Sequence, residues 1–323
     1  MRARLVALGL IAGVALAGCS GAPAPEGSPS VSASASAAPV SELDCDALLP
    51  VSRASEALRL PADRLEGSRD GAVQSSSELI RAAAEENGGL LTCSWFETDG
   101  PASVVASAAG DAADAFAALP AGPALAAGDA ASGSCVDGSC TAQILIGTTW
   151  VSLALTAAPT ALDLAALASA TADSASGRLD EVAPGTGPAC ADLLTAEQLT
   201  SLAGLAQPTP GAGTEGAPIT TAGAAAAARA GYTSCTWTDA ASAAYSGISV
   251  DALPSGEEGW RNLSLTTGLA IPLSPVDGLG ERAISGCSTG TCEVDVLADD
   301  VWWRVLVTGD SARADSVARA VLE

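Results

Sequence analysis

Cys287–Thr308 reads CSTGTCEVDVLADDVWWRVLVT, and Cys135–Thr156 reads CVDGSCTAQILIGTTWVSLALT. The two segments align without a gap, 152 positions apart. Each opens on two cysteines separated by four residues, with Gly138 and Gly290 in the same place. After the second cysteine, Ala142, Ile144 and Ile146 alternate with Thr141 and Gln143, as Val294, Val296 and Ala298 alternate with Glu293 and Asp295. A turn follows at Gly147-Thr148 or Asp299-Asp300. Val151, Leu153 and Leu155 then match Trp303, Val305 and Val307. Alternation with period two predicts an antiparallel hairpin with one buried face.

The duplication extends outward from this block. Cys45 and Cys93 stand to the first hairpin as Cys190 and Cys235 stand to the second, so each copy is one domain of about 135 residues. The first copy spans residues 42–177, the second 189–323, and a polar Gly/Pro-rich joint at 178–188 separates them. Both open alike, Cys45-Asp-Ala-Leu-Leu-Pro50 and Cys190-Ala-Asp-Leu-Leu-Thr195. Thr195 and Gln198 make a capping box, and Ser52 is the expected cap in the first copy. Helix candidates follow at Ser77–Glu86 and Gly223–Ala230. Cys93-Ser-Trp95 and Cys235-Thr-Trp237 read as strands with cysteine and tryptophan on the inner face. Further strands are expected at Ser103–Ser107 and Ser246–Ala252, helices at Asp111–Leu119 and, more weakly, Glu257–Leu263. Pro208–Pro218 reads as a loose loop. Each copy closes with a helix, capped by Thr160 in the first and Asp310 in the second. Strands grouped between helices give the class α+β, with two tandem disulfide-stapled domains, each an antiparallel sheet packed with helices.

Four cysteines per copy allow three pairings, and one recurs naturally in both. Cys135–Cys140 and Cys287–Cys292 suit bonds across a hairpin mouth. Cys45–Cys93 and Cys190–Cys235 then follow by elimination. Structural staples are the reading, with a redox switch the minor alternative.

Upstream of the first copy, Arg2 and Arg4 precede the apolar run Leu5–Ala15, which is shorter than the 20 or so residues a spanning helix needs. Leu16-Ala17-Gly18-Cys19 then ends the leader like a bacterial lipobox. Residues 1–18 are read as a lipoprotein signal peptide, and Cys19 as the lipidated residue. Residues 19–41, rich in Ser, Ala, Pro and Gly, cannot bury a core and read as a disordered tether. The expected place is the extracytoplasmic face of the cell membrane.

Composition excludes much chemistry. The chain has no histidine, and all fourteen basic residues are arginine. Imidazole metal sites, histidine bases, Schiff-base lysines and P-loop lysines are therefore out. No cofactor and no metal site is expected. Without the leader, twelve arginines stand against thirty-seven acids, a net charge of −25. A surface that negative repels nucleic acid.

The opening Cys-x-x-Leu-Leu helix, the Cys-x-Trp strand, Val276-Asp-Gly-Leu-Gly-Glu-Arg-Ala283 ahead of a hairpin, and the Ala-rich closing helix together resemble the actinobacterial lipoprotein domain of unknown function found in mycobacteria and streptomycetes. They are also similar to the extracellular sensor domain of mycobacterial receptor kinases. That resemblance implies a disulfide-stapled α+β fold with a cleft, and brings no active-site residues. It covers Cys190–Glu323 well and Cys45–Ser176 less well. In the first copy Pro123–Ala131 stands where the Gly-Leu-Gly element belongs, and only Gly128 matches, at Gly280.

The functional expectation is a non-enzymatic membrane-anchored lipoprotein that binds a small molecule, a glycan or an envelope protein. Alternation turns Trp303 inward and Trp302 outward. Trp302 and its aligned partner Trp150 are thus either site-lining or half-buried packing residues. Arg304 and Arg282 are either anion ligands or ordinary surface or ion-paired residues. The alternatives are an envelope spacer or assembly factor, and a carboxylate-dependent hydrolase, which would need two acids facing each other in a concave site.

Overall fold

A computed structural model of the chain describes residues 42–67, 74–175, 177, 179–211, 213–242 and 247–323. The leader, Cys19 and the whole of the tether lie outside the described residues, as do Ser176, Arg178 and Ser246. The first repeat runs α1 (Cys45–Leu48), α2 (Val51–Leu58), β1 (Leu65–Glu66), α3 (Ser76–Asn87), β2 (Leu91–Glu97), β3 (Ser103–Ala109), α4 (Ala113–Ala117), β4 (Ala130–Val136), β5 (Ser139–Ile146), β6 (Thr149–Thr156) and α5 (Leu164–Ser174). The second runs α6 (Cys190–Leu193), α7 (Ala196–Ser201), β7 (Pro208–Pro210), α8 (Ala222–Arg229), β8 (Thr233–Asp239), β9 (Gly247–Leu253), α9 (Glu257–Leu265), β10 (Ser274–Val276), β11 (Arg282–Ser288), β12 (Thr291–Ala298), β13 (Val301–Thr308) and α10 (Ser311–Val321).

The fold is α+β, with two wholly antiparallel sheets. The first has order β1-β2-β3-β6-β5-β4, and the second repeats it as β7-β8-β9-β13-β12-β11 with β10 added outside β11. The hairpins at the heart of each sheet keep the expected register. Ala298 stands opposite Val301, and Ile146 opposite Thr149. All four expected disulfides are formed: Cys45–Cys93, Cys135–Cys140, Cys190–Cys235 and Cys287–Cys292. The short bridges join directly opposed residues of β4–β5 and β11–β12, with Cα atoms 4.0 and 4.1 Å apart. They therefore pin strand register. The long ones tie α1 to β2 and α6 to β8.

One face of each sheet packs as the alternation requires. Val151, Leu153 and Leu155 join Cys93, Val104 and Ala142 under α1, α2 and α5. Val305 and Val307 join Cys235, Trp237 and Val294 under α6, α7 and α10. The Gly128–Gly280 match also holds in space. Both residues have positive φ, 54° and 51°, and a Cβ on either would sit 2.4 or 2.7 Å from the carbonyl of the equivalent Leu145 or Leu297. Only glycine fits there.

Several local expectations change. The N-cap of α2 is Pro50, one residue before the helix opens at Val51, so Ser52 lies inside it. Pro159–Leu162 makes a turn, and Asp163 rather than Thr160 caps α5, accepting from Ala166 N. Part of the expected loop at 208–218 is the edge strand β7, where proline costs no ladder bond. Helix α9 is longer than α4, the reverse of the expected strengths.

The larger change concerns the second face of each sheet. Helix α3 leaves its own repeat and packs on α8, on α9, and on β9 and β13 of the second sheet. Helix α8 reaches the other way and packs on β3 and β6 of the first sheet. The repeats thus exchange one helix each. Ile80 and Ala84 of α3 join Leu253, Trp260, Leu297 and Trp302 in one cluster. Ala222 and Ala226 of α8 join Ala109, Ala112 and Trp150 in another. The hairpin of the second repeat is consequently buried on both faces, not one. The first is covered only at its Trp150 end, because α8 has eight residues against twelve in α3. Polar contacts follow the same exchange: Asn87 Nδ2 donates to Ser255 O, Ala270 N to Gln74 O, and Arg229 Nη1 to Gly110 O, while Arg229 also pairs with Asp111. Residues 42–323 accordingly cluster as one compact unit.

Candidate functional site: a buried charge cluster under the exchanged helix

Strand alternation puts Glu293, Asp295, Trp302 and Arg304 on the face of the second sheet that α3 covers. Trp302 is fully buried, and so is Trp150 on the first sheet. Of the two readings, site-lining or half-buried packing, the packing one fits: both pack under a helix from the other repeat, and the burial is complete rather than half. Trp302 Nε1 donates to Asp295 Oδ1 at 2.8 Å, and Trp150 Nε1 donates to Gln143 Oε1 at 2.6 Å.

Arg304 is ion-paired, and it is 5% exposed rather than on the surface. Its guanidinium is held on three sides. Nε donates to Ser76 Oγ of α3 at 2.7 Å, Nη1 to Asp251 Oδ2 at 2.8 Å, and Nη2 to Glu293 Oε2 at 2.9 Å. Tyr232 OH donates to the other oxygen of Asp251 at 3.0 Å. Burial alone would lower the affinity of Arg304 for its proton, but Glu293, Asp251 and Asp295 together raise it. Burial and the Asp251 charge push the Tyr232 hydroxyl up, so it stays a donor. Asp295 is pushed well above the usual carboxylate range, first by burial and then by the charge of Glu293. Among the described residues, Glu293 Oε1 and Asp295 Oδ2 are both buried without a hydrogen-bond donor.

The equivalent positions of the first repeat are Ser107, Thr141, Gln143 and Ser152 in place of Asp251, Glu293, Asp295 and Arg304, as shared registers establish. The charge cluster thus belongs to the second repeat alone. Asp251 and Asp295 stand directly opposite Arg304 on its two neighbouring strands. The Asp295–Arg304 opposition was legible from the two-residue turn, but Asp251, Tyr232 and Ser76 gave no local signal.

A cavity of about 290 Å³ runs along this cluster, walled by Ser75, Ser76, Ser288, Thr291, Glu293 and Arg304. A larger one of about 390 Å³ lies beside α9, with Leu263, Leu269, Leu273 and Ile284 as apolar wall and Asp277, Glu281 and Arg282 as charged lining. Arg282, the other candidate anion ligand, lies over the Trp260 ring at 4.8 Å and donates to Glu257 at 3.0 Å. Among the described residues no group of three His, Cys, Asp or Glu is placed to hold a metal ion, and no helix is long and apolar enough to cross a membrane.

No protein-family model, curated protein or solved structure matches the chain.

Proposed function

We propose that this chain is a lipoprotein held on the extracytoplasmic face of the cell membrane by acyl chains on Cys19, and that its folded part binds a small ligand without covalent chemistry. The cysteine accounting carries this reading. Eight of the nine cysteines pair among themselves in four disulfides, which fits an oxidising compartment and leaves Cys19 over. The remaining one directly follows a leader of lipoprotein type. Two acyl chains suffice for durable anchoring where one is marginal.

The cavity beside α9 supports a small ligand over a protein partner. Its volume falls in the range of small-molecule sites, and its walls are mostly apolar. The only large apolar side chains that stand out among the described residues are Val136 and Leu265, which make no contiguous patch. Three carboxyl groups do meet in one buried place, as a hydrolase would ask. Yet Asp251 and Glu293 bind one guanidinium, Asp295 accepts from Trp302, and Glu293 borders the 290 Å³ cavity with its Oε2 already engaged by Arg304 beside it. That arrangement supports a structural role for the acids.

The test is fractionation with a labelled fatty acid. The wild-type chain is expected in the membrane fraction carrying label, and Cys19→Ala in the soluble fraction without it. An unlabelled wild type, or a variant that stays with membranes, would overturn the anchor. For the ligand, denaturing the folded chain purified from its own envelope should release a small molecule that Leu269→Arg does not retain. An empty wild-type protein would count against that half.

A further inference from the structure

We propose that Glu293 and Asp295 share a single proton as a carboxylic acid–carboxylate pair, and that this proton helps fasten helix α3 of the first repeat to the second sheet. The two residues lie two apart on β12, so their side chains leave the same face. Each uses one oxygen: Glu293 Oε2 accepts from Arg304, and Asp295 Oδ1 accepts from Trp302. Among the described residues the remaining oxygens, Glu293 Oε1 and Asp295 Oδ2, are buried with no donor, and the two carboxyl groups act on each other directly. Two ionised carboxylates in that position would leave two buried acceptors unpaired, each costing about 1–3 kcal/mol. One proton between them satisfies both.

Among the described residues the neighbouring elements supply no other donor. Strand β13 contributes Arg304, already bound on three sides, and β9 contributes Asp251, a further negative charge. Tyr232, just before β8, spends its hydroxyl on Asp251. Strand β11 places Ile284 and Gly286 opposite the two acids, and α3 brings the Ser76 hydroxyl, which faces Arg304. Without the proton, three negative charges surround one guanidinium in a water-poor place.

The first repeat supports assigning the proton to Asp295. There the amide of Gln143, which carries no charge, accepts from Trp150 as Asp295 accepts from Trp302. A neutral group is enough for the tryptophan. The chain from the shared proton to the exchanged helix is then Asp295, Glu293, Arg304, Ser76. Losing the proton to water adds a charge at the root of that chain and loosens its far end. The cavity bordered by Ser76, Glu293 and Arg304 lies along the same chain. The proton thus couples external pH to the contact between the two repeats.

The direction follows from proton counting. Between the ordinary carboxylate range and the raised value of Asp295, the folded chain holds one more proton than the unfolded chain, so stability falls as pH rises through that window.

The experiment is a carboxyl carbon NMR titration of the full chain with labelled Asp and Glu side chains. One carboxyl signal should keep the shift of a protonated acid at neutral pH, and Asp295→Asn should remove it. Amide exchange in α3 should quicken with rising pH in the wild type and not in Asp295→Asn. A wild type whose carboxyl groups all titrate in the ordinary range would overturn the proposal, and that result needs no variant to fold. So would a protonated signal that survives in Asp295→Asn.

Discussion

Trp302 gives its indole N–H to Asp295 across 2.8 Å, in the place where Trp150 gives its own to Gln143. One tryptophan thus serves two repeats with the same geometry and two acceptors of different chemistry, a carboxyl group and an amide. Trp302→Phe strands a fully buried carboxyl oxygen, whereas Trp150→Phe strands an amide that is half-buried. The first change should cost more than the second, beyond their common loss of packing, by about 1–3 kcal/mol. Urea unfolding of the two variants measures the difference.

Asp295→Asn keeps an acceptor for Trp302 and removes the titrating group. The wild type loses stability as pH rises from the carboxylate range toward the raised Asp295 value. The variant should lose less over the same window and be the more stable of the two at its upper end. Melting temperatures across pH 4 to 9, a range set by the usual acid and amine values, check the sign.

Arg304 answers two buried carboxylates, so removing it alone leaves both uncompensated. Arg304→Met should destabilise by about 3–5 kcal/mol. Adding Asp251→Asn and Glu293→Gln removes the stranded charges and should recover part of that loss. The non-additivity is the diagnostic, because independent sites would simply sum.

The crossing of α3 and α8 is close. A Cβ on Gly88 would sit 1.9 Å from the carbonyl oxygen of Ala226, in the other repeat. Gly88→Ala forces the exchanged helices apart, and should cost at least about 2 kcal/mol, the scale of core overpacking. Fluorescence and circular dichroism should still report one transition, shifted as a whole.

The inner half of this structure was legible in the sequence, and the outer half was not. Period-two alternation identified Val151, Leu153 and Leu155 as core, and cysteine spacing identified the four bridges, because both depend on residues near in sequence or repeated. Alternation also set Trp302 and Arg304 apart on the other face. It could not say what covers that face, since the cover comes from Ile80 and Ala84, more than two hundred residues earlier in the chain. Ser76 meets Arg304 across 228 positions. The charge of that face was the overlooked clue: Glu293 and Asp295 alternate with valines on β12, and Arg304 stands two residues after Trp302 on the same face of β13. The missed caps have a smaller cause, as Pro50 and Asp163 lie within three residues of the expected Ser52 and Thr160.

Reciprocal helix exchange makes each repeat incomplete without the other, and separate production of residues 42–177 and 189–323 tests that most directly. Each half alone should lack a cooperative unfolding transition as a monomer. The two mixed under oxidising conditions should form a one-to-one complex that unfolds cooperatively, with the stability of the intact chain at high concentration. A monomeric half as stable by itself as the whole chain would contradict the exchange.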